Sequence, residues 1–321
     1  MQGSYTTNAP VNKIDNKSVS AGDVRNAAYI SVVVPFYNAG ETIENCITAL
    51  LGQKYPADDY EIIMVDNNST DNTSEIIKKH PRIKLLFEEK KGSYAARNRG
   101  VSESKGEIIA FTDSDCVPSP DWLVSFSKAF HDPGVGVLQG RRLYNTRSLG
   151  LLLLQEYESE RAVFTFSGRL PGLYYGYTNN MAVRREVFDR CGPFLEVLRG
   201  ADSIFVNRVI DEYSPGIVRY APEAVLRHSE ITGLTDYQRK RFIYGRSLEL
   251  NYPIRKKSHR NMTLSERFEI IRATNKRNNY SIPKSIYLFI LVLFGMVCFM
   301  SGRLSVRIVK PVKKLGETMR K

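Results

Sequence analysis

The chain has 321 residues, of which 42% are hydrophobic, so it can form one large domain or two ordinary ones around a substantial core. Its formal net charge of +12 indicates attraction to anions such as nucleic acid, anionic lipid or phosphorylated substrates. The sequence has neither zinc-finger spacing nor an RNA-recognition aromatic motif, which argues against nucleic acid as a partner. Its four cysteines are far apart, as expected for free thiols in a reducing compartment.

Residues 1–28 are polar and contain no apolar run, so we predict a disordered N-terminal tail and not a signal peptide. Beyond them, short apolar runs alternate with segments of helical spacing, which predicts a parallel sheet in an α/β domain. A helix is expected to begin near Ile43, and another to cover Ser93–Ser104. The predicted strands are Ile30–Pro35, Glu61–Val65, Ile83–Phe87 and Ile108–Thr112.

Polar clusters directly follow three of these strands. Tyr37 and Asn38 follow the first, residues 66–68 follow the second, and residues 113–115 follow the fourth. Ligands of such sheets bind beyond the carboxyl ends of the strands, so we expect the clusters to converge at one edge. The sequence has no G-x-G-x-x-G after the first strand and no G-x-x-x-x-G-K-[ST], which argues against a dinucleotide dehydrogenase and a P-loop NTPase.

The triplet Asp113-Ser114-Asp115 is the most informative of these clusters. Two carboxylates one residue apart, at the end of a buried strand, can hold Mg2+ or Mn2+, which prefer oxygen ligands and bind substrate phosphates. The alternative is a solvated acidic turn, because D-x-D alone is common by chance. Its place at the expected binding edge favours a metal site for a pyrophosphate-bearing substrate.

Near the C-terminus, residues 286–302 are uncharged and almost wholly apolar, and they have about the minimum length that spans a bilayer. Basic residues flank this segment on both sides, as expected beside anionic headgroups. The alternatives are a re-entrant or interfacial segment and a buried helix of a soluble domain. We divide the chain into a disordered tail (1–28), a catalytic domain (29–232), a basic extension (233–282), a membrane segment (283–303) and a basic tail (304–321).

Four motifs, in this order and spacing, resemble those of the family 2 glycosyltransferases of the GT-A fold. They are VVVPFYN (32–38), VDNNSTDNT (65–73), ARNRG (96–100) and FTDSD (111–115). The resemblance covers about Ile30–Arg246. It implies a mostly parallel, Rossmann-like sheet and transfer of a sugar from a nucleoside-diphosphate donor, with inversion at the anomeric carbon.

The resemblance also implies a donor site. Asp115 would bind the cation and His228 would complete the metal site, although a lone histidine can also be structural. Asp66 would contact the base, and Lys91 and Arg97 would approach the donor unless they are ordinary surface charges. The nucleotide-sugar-binding residues implied in this way are Pro35, Tyr37, Asn38, Asp66, Asn68, Lys91, Arg97, Asp113 and Ser114.

A single inverting displacement needs a base that takes the proton of the acceptor hydroxyl. The resemblance assigns this role to Asp202, which is followed by a predicted helix; the alternative is that Asp202 is only the N-cap of that helix. Gln238, Arg241 and Phe242 resemble a Gln-x-x-Arg-Trp motif that holds pyrophosphate or the acceptor sugar, with Phe242 in place of Trp. The alternative interpretation is that these residues belong to a basic amphipathic helix with no binding role. Asn180 is the residue predicted to contact a sugar or the acceptor.

These features together predict a membrane-associated, metal-dependent inverting glycosyltransferase at the cytoplasmic face. Its partners would be a nucleoside-diphosphate sugar, Mg2+ or Mn2+, the membrane, and a lipid-linked or other glycan acceptor. The alternatives are a transferase for a soluble polysaccharide or protein acceptor, and a membrane scaffold that keeps the fold without turnover. A nucleotidylyltransferase is disfavoured because no Gly-rich phosphate loop occurs near the N-terminus.

Overall fold

The computed structural model describes residues 28–229, 231–251, 260 and 262–318. The predicted disorder of residues 1–28 therefore concerns a segment that, except for Ala28, lies outside the described residues. The strands are β1 Ile30–Phe36, β2 Tyr60–Asp66, β3 Ile83–Phe87, β4 Ile108–Thr112, β5 Cys116–Pro118, β6 Val137–Tyr144, β7 Asn180–Arg184 and β8 Val218–His228. The helices are α1 Ile43–Leu51, α2 Thr73–Lys78, α3 Ser93–Ser102, α4 Trp122–Ala129, α5 Leu149–Phe166, α6 Arg185–Cys191, α7 Ala201–Glu212, α8 Leu234–Leu250, α9 Leu264–Asn278 and α10 Ile282–Thr318.

All eight strands form one sheet in the order β3-β2-β1-β4-β7-β6-β8-β5. The first four strands of that order are parallel neighbours, and each agrees with its predicted bounds to within one residue. The other half is mixed, because β7 runs antiparallel to β4 and β6, and β5 runs antiparallel to β8. The predicted α/β fold class is therefore confirmed, and the parallel character is concentrated in the N-terminal half.

The β-branched run of β1 explains why this strand lies at the centre. Val32 and Val34 are fully buried in a cluster with the residues of α1 and α4, whereas Val33 is buried in a second cluster on the opposite face. Burial of each such side chain contributes about 1.5–3 kcal/mol. A strand that is covered on both faces has only its ends near solvent, so polar residues are expected where the strand ends.

Helices α8, α9 and α10 pack against α5 through a third hydrophobic cluster. The contact between α8 and α10 is close enough to require glycine. A Cβ atom added at Gly245 would lie 1.9 Å from the carbonyl oxygen of Phe299, and one added at Gly302 would lie 2.0 Å from that of Phe242. The predicted extension and membrane segment are thus joined to each other and to the catalytic domain.

Helix α10 continues beyond the predicted boundary at residue 303 and ends at Thr318. Within it, the 27 residues Ile282–Ile308 have a mean hydropathy of 2.2 over their most apolar window. By length and composition alone, this is the one helix among the described residues that could cross a membrane.

Candidate active site

A cavity of about 1130 Å³ opens at the carboxyl ends of the parallel strands. Pockets that hold a single drug-sized ligand are commonly about 300–1,000 Å³, so this cavity has room for a donor and a second ligand. Tyr37 after β1, Asn67 after β2 and residues 113–115 after β4 all contribute to its wall. The polar clusters at the ends of three parallel strands therefore meet in one place.

Ten of the residues predicted to form the site line this cavity. They come from strand ends, helix starts and α8, which are far apart in the chain. These residues are Pro35, Tyr37, Lys91, Arg97, Asp113, Ser114, Asp115, Asp202, His228 and Arg241.

The pairing of β5 with β8 brings Asp115 to His228. Cys116 is directly opposite His228 in the antiparallel register, and the amide of Ser229 donates a hydrogen bond to the carbonyl oxygen of Asp115 at 2.9 Å. The Asp115 Oδ2 and His228 Nδ1 atoms are 3.7 Å apart, and the imidazole is buried. A carboxylate oxygen and an imidazole nitrogen at this separation are suited to share one divalent cation.

Cys116 is the third side chain near this pair, with its ligand atom within 4.8 Å of the other two. Burial raises the pKa of the Cys116 thiol well above its ordinary value, and Asp115 and Asp113 raise it further. Mg2+ and Mn2+ prefer oxygen ligands to sulfur. The Cys116 Sγ donates to Asp115 Oδ1 at 3.4 Å, so it orients the carboxylate.

Arg97 is a wall residue of the site and not a surface charge, since it is 3% exposed. Its Nη2 atom contacts the Asp113 carboxylate, and Nη1 donates to the carbonyl oxygen of Ser93 at 3.3 Å. Its guanidinium also lies 5.3 Å from the centroid of the Tyr94 ring. Asp113 is therefore held by a cationic side chain, whereas Asp115 lies beside an imidazole.

Asp202 is the second residue of α7 and not its N-cap, a position taken by Gly200 with φ of 89°. Its Oδ1 atom accepts a hydrogen bond from the amide of Ser203 at 2.8 Å. Burial raises the pKa of Asp202, and this effect outweighs the opposing influence of the Ser203 amide and of Arg97. A carboxylate in a cavity wall whose pKa is raised in this way is a stronger proton acceptor than an exposed carboxylate.

Three residues predicted to bind the nucleotide do not line the cavity. Both carboxylate oxygens of Asp66 accept hydrogen bonds from nearby residues, one from the Ser69 amide in the following loop at 2.8 Å and one from the Ser74 hydroxyl of α2 at 2.6 Å. Asn38 accepts from the Thr70 amide at 2.8 Å, and Asn68 donates to the carbonyl oxygens of residues 88 and 89. These hydrogen bonds fix the loops that follow β1 and β2.

The structure contradicts the predicted sugar contact of Asn180. This side chain is fully buried, and its Nδ2 atom donates to the carbonyl oxygens of Arg141 at 2.9 Å and Ala224 at 3.0 Å. Its Oδ1 atom accepts from Trp122 Nε1 at 2.8 Å. Asn180 therefore joins β7 to β6, β8 and α4 in the core.

Gln238 and Phe242 also lie away from the cavity, on the part of α8 that packs against α10. A Cβ atom added at Gly295 would lie 3.3 Å from the Gln238 Oε1 atom, so the glutamine faces α10. Of the three residues in the predicted Gln-x-x-Arg-Phe motif, only Arg241 reaches the cavity.

Sequence reasoning missed several residues of the cavity. Asn67 was seen only as part of a polar cluster, yet its Oδ1 atom accepts from the Gly92 amide at 2.7 Å and so positions the start of α3. Glu158 and Arg161 were not considered, although their spacing of three residues on a helix is that of an ion pair. They line a part of the cavity that α5 shares with α8 and α9.

Residues 31–192, just over half of the chain, match the family described as Glycosyl transferase family 2. The chain is 34% identical to Glycosyltransferase AglE of Haloferax volcanii over 192 residues, which are 57% of this chain and 62% of the relative. Over 101 residues it is 32% identical to a Methanococcus voltae glucuronosyltransferase named for a dolichyl N-acetyl-alpha-D-glucosaminyl phosphate. That match covers 30% of this chain and 32% of the relative, so both matches span less than two thirds of the relatives' length.

A solved structure shares the architecture over almost the full length. It is the mannosyltransferase PcManGT from Pyrobaculum calidifontis in complex with GDP-Man and Mn2+, with a TM-score of 0.63 and 20% identity. The similarity covers 90% of this chain and 88% of that one, and at this identity it establishes the fold. Since the family match includes β1 to α6 with the Asp113–Asp115 motif, this chain belongs to glycosyl transferase family 2 and has the GT-A fold.

Proposed function

We propose that this enzyme transfers a sugar from a nucleoside-diphosphate donor to a lipid-linked acceptor at a membrane surface, by a metal-dependent displacement that inverts the anomeric carbon. The observation that supports this proposal is the convergence of Asp113, Asp115, His228 and Asp202 on one cavity. Asp202 and His228 are far from the Asp113–Asp115 motif in the chain. A scaffold without turnover would not be expected to bring these four ionisable side chains into one cavity.

The donor diphosphate would lie along the strand ends between α3 and the Asp113–Asp115 motif. Asp115 and His228 supply an oxygen and a nitrogen ligand that fit Mg2+ or Mn2+, and substrate phosphate oxygens can complete the coordination. Once bound, the cation would neutralise the charge that builds on the leaving diphosphate. Lys91 and Arg97 lie on the same wall and add positive charge there.

Asp202 would act as the base that takes the acceptor proton. Its raised pKa strengthens it as a proton acceptor, and its place in the first turn of α7 favours the negative charge. Asp202 lines the same cavity as the Asp113–Asp115 motif, as a base acting on an acceptor bound beside the donor would need to.

The names of similar proteins support the donor and acceptor classes. PcManGT was solved with GDP-Man and Mn2+, and the Methanococcus voltae relative is named for a dolichyl-linked sugar phosphate. A nucleotide-sugar donor, a divalent cation and a lipid-linked acceptor are therefore the first candidates for this chain.

The surface of α10 supports attachment to a membrane. Leu288, Leu291 and Val292 face the third hydrophobic cluster, whereas the opposite face exposes a continuous apolar stripe. We call this stripe the α10 apolar face, and it consists of Ile282, Ile286, Phe289, Ile290, Phe294, Val297, Met300, Leu304 and Ile308. A helix with one apolar face and basic flanks is suited to the boundary between headgroups and acyl chains.

The packing of α8 favours an interfacial position of α10 over a spanning one. Because α8 lies against α10 at Gly245 and Gly302, both helices must sit at similar depth. Glu249 of α8 also pairs with Arg303 at 3.0 Å and Arg307 at 2.8 Å. Arg241 of α8 lies against α10 near the middle of its apolar segment, where a Cβ atom added at Gly295 would be 3.8 Å from the Arg241 Nε atom. A spanning α10 would carry this charge toward hydrocarbon, at a cost of about 2.5–3.5 kcal/mol for a charge at the centre of a helix.

We place the catalytic domain on the cytoplasmic side, where sugar nucleotides are made and free thiols persist. The test uses full-length protein in detergent with Mn2+ and a panel of nucleotide sugars. A donor that binds should raise the melting temperature, and release of its nucleoside diphosphate should depend on metal and on Asp202. Absence of binding and of hydrolysis for every donor would reject the enzymatic proposal in favour of a scaffold, and transfer to soluble glycans alone would reject the lipid-linked acceptor.

A further inference from the structure

The part of the cavity between α5, α8 and α9 carries an unusual concentration of positive charge. We call this part the inner chamber and define it by Arg142, Glu158, Arg161, Arg241 and Arg267. It belongs to the same continuous cavity as the donor motif, so a ligand held there can reach the reacting atoms. Across the whole cavity, nine basic side chains face four carboxylates among the described lining residues, and the inner chamber contributes most of that excess.

Glu158 organises the inner chamber. Its carboxylate pairs with Arg161 at 2.5 Å, lies 4.0 Å from Arg241 and accepts a hydrogen bond from the Tyr237 hydroxyl at 2.8 Å. Burial alone would raise the pKa of Glu158, but Arg161, Arg241 and Arg142 together hold it below its ordinary value. This carboxylate therefore stays ionised and orients the guanidinium groups around it.

Aromatic rings fix the planes of these guanidinium groups. Arg142 lies 3.8 Å from the centroid of the Tyr177 ring, and Arg161 lies 4.7 Å from that of Tyr175. A guanidinium stacked on a ring keeps its N–H groups at its edge, where they can donate in pairs to a planar or tetrahedral anion. The chamber can therefore bind an anion in a defined orientation and does not only neutralise its charge.

One carboxylate does not balance four guanidinium groups. The imbalance is visible at Arg267, whose pKa is lowered by burial and lowered further by the charges of Arg241 and Arg161, against the opposing effect of Tyr157. The Nε atoms of Arg161 and Arg267 are buried, and neither has a hydrogen-bond partner among the described residues. Buried charges are ordinarily paired and buried donors ordinarily bonded, so this arrangement calls for an anion.

We infer that the inner chamber binds the phosphate or diphosphate group of the acceptor. The inference rests on the proposed function for the identity of the ligand as acceptor, because the donor diphosphate is already accounted for at Asp115 and His228. Phosphate oxygens match the paired donors of arginine, and a diphosphate would offset the excess of positive charge. Arg142, Arg161 and Arg267 would then be acceptor-binding residues that no sequence motif identifies.

The test measures binding of inorganic pyrophosphate to full-length protein in detergent by calorimetry. The buffer contains EDTA, so that cation-dependent binding at the donor motif does not contribute. Arg267→Gln and Arg142→Gln should each weaken binding about tenfold or more, the effect of removing one hydrogen bond to a charged group. Arg272→Gln is the matched control, because it removes the same charge from an exposed position on the same helix.

Two results would overturn the inference: unchanged binding in both chamber variants, or an equal loss in Arg272→Gln. Folding is checked independently, because Arg267→Gln removes a repelled charge and should melt no lower than the wild type. If Arg267→Gln melts at a lower temperature than the wild type, pyrophosphate affinity is measured in Arg267→Lys and Arg142→Gln instead. Arg267→Lys should bind pyrophosphate more tightly than Arg267→Gln, because it keeps the charge. Transfer assays on the same proteins separate the two proposals: pyrophosphate binding without transfer rejects the proposed function, and transfer without chamber binding rejects this inference.

A second arm identifies the source of the phosphate. Hexadecyl phosphate in mixed micelles is compared with inorganic phosphate under the same conditions. Tighter binding of the alkyl phosphate, lost in Arg267→Gln, supports a lipid-linked acceptor whose chain remains in the membrane. Equal binding of both probes supports a soluble phosphorylated acceptor and contradicts the lipid-linked one.

Discussion

At the scale of single residues, Asp202 is the side chain whose role is most open to a direct test. Asp202→Asn keeps the size and some hydrogen bonding of the side chain but cannot take a proton. Turnover should fall about 10²–10⁴-fold while donor affinity stays near that of the wild type, because the amide lines the same wall. Transfer kinetics and donor titration with purified protein give both quantities, and a parallel loss of donor affinity would make Asp202 a binding residue instead.

The raised pKa of Asp202 adds a dependence on pH. Since the folded protein disfavours the ionised form, activity should be lost as the pH falls through a value above the ordinary carboxyl pKa. The same burial means that the charge costs stability at neutral pH, so Asp202→Asn should melt at the same or a higher temperature there. The difference in melting temperature between Asp202→Asn and the wild type should disappear as the pH falls and Asp202 becomes protonated. A difference that instead grew toward low pH would contradict a raised pKa of Asp202.

Asp115 tests the metal assignment. Asp115→Ala should lower turnover by about 10²-fold or more, because the charge on the leaving diphosphate would lose its stabilisation. Mn2+ binding, followed by electron paramagnetic resonance, should weaken in the same variant. Asp121→Ala is the control: Asp121 forms an exposed ion pair with Lys54 at 3.1 Å and does not line the cavity, so this variant should leave both measurements unchanged.

At the scale of secondary-structure elements, the contact between α8 and α10 depends on the absence of side chains. Gly245→Ala would place a methyl group against the Phe299 carbonyl oxygen, and we expect a loss of about 1–3 kcal/mol in the free energy of unfolding from overpacking. Chemical denaturation of the detergent-solubilised protein provides the measurement. Gly216→Ala, where an added Cβ meets its nearest atom at 3.9 Å, should be close to neutral. Equal stability of the two variants would show that α8 and α10 are not packed this closely.

The elements also show how far the sequence alone could lead. Strands β1, β2 and β4 were predictable because each is almost wholly buried and reads as an apolar run. The edge strand β3 is only partly buried, and its apolar residues were still enough to predict it. Strands β5 to β8 carry weaker patterns, and apart from the parallel pair β6–β8 they pair antiparallel. The mixed half of the sheet and the contact of Asp115 with His228 therefore depend on tertiary register. The burial of Asn180 could not be seen locally, because its three partners come from β6, β8 and α4.

Apart from Arg241, the basic residues of the inner chamber could not be predicted, for a related reason. Arg142, Arg161 and Arg267 are separated along the chain and belong to β6, α5 and α9. Each one alone reads as an ordinary basic residue on a regular element. Only the packing of the C-terminal helices on α5 brings them together, and helix packing of that kind is set by side chains on several elements at once.

At the scale of the whole molecule, the positive charge and the α10 apolar face should act together at an anionic membrane. Phe294→Asp places a charge within the apolar face and should reduce binding to anionic vesicles about tenfold or more. Phe87→Asp is a matched control, because Phe87 is 54% exposed and Phe294 is 55% exposed, but Phe87 lies in β3 at the opposite edge of the sheet. Vesicle sedimentation measures the binding of both variants. Added salt should weaken the binding of the wild type by screening the charge of the headgroups. Equal loss in the two variants would locate the membrane contact elsewhere.

The position of Phe299 has a consequence for how an acceptor would travel. This residue of α10 lines the cavity, whereas Phe294, Val297 and Met300 of the same helix face outward. One helix with its side chains is about 10 Å across, so a single helix separates the cavity from the proposed membrane surface. A lipid-linked acceptor would therefore need to lift only its polar head by about that distance, with its hydrocarbon tail still dissolved in the leaflet. The energetic penalty of extracting the tail into water, about 0.8 kcal/mol for each methylene, would be largely avoided.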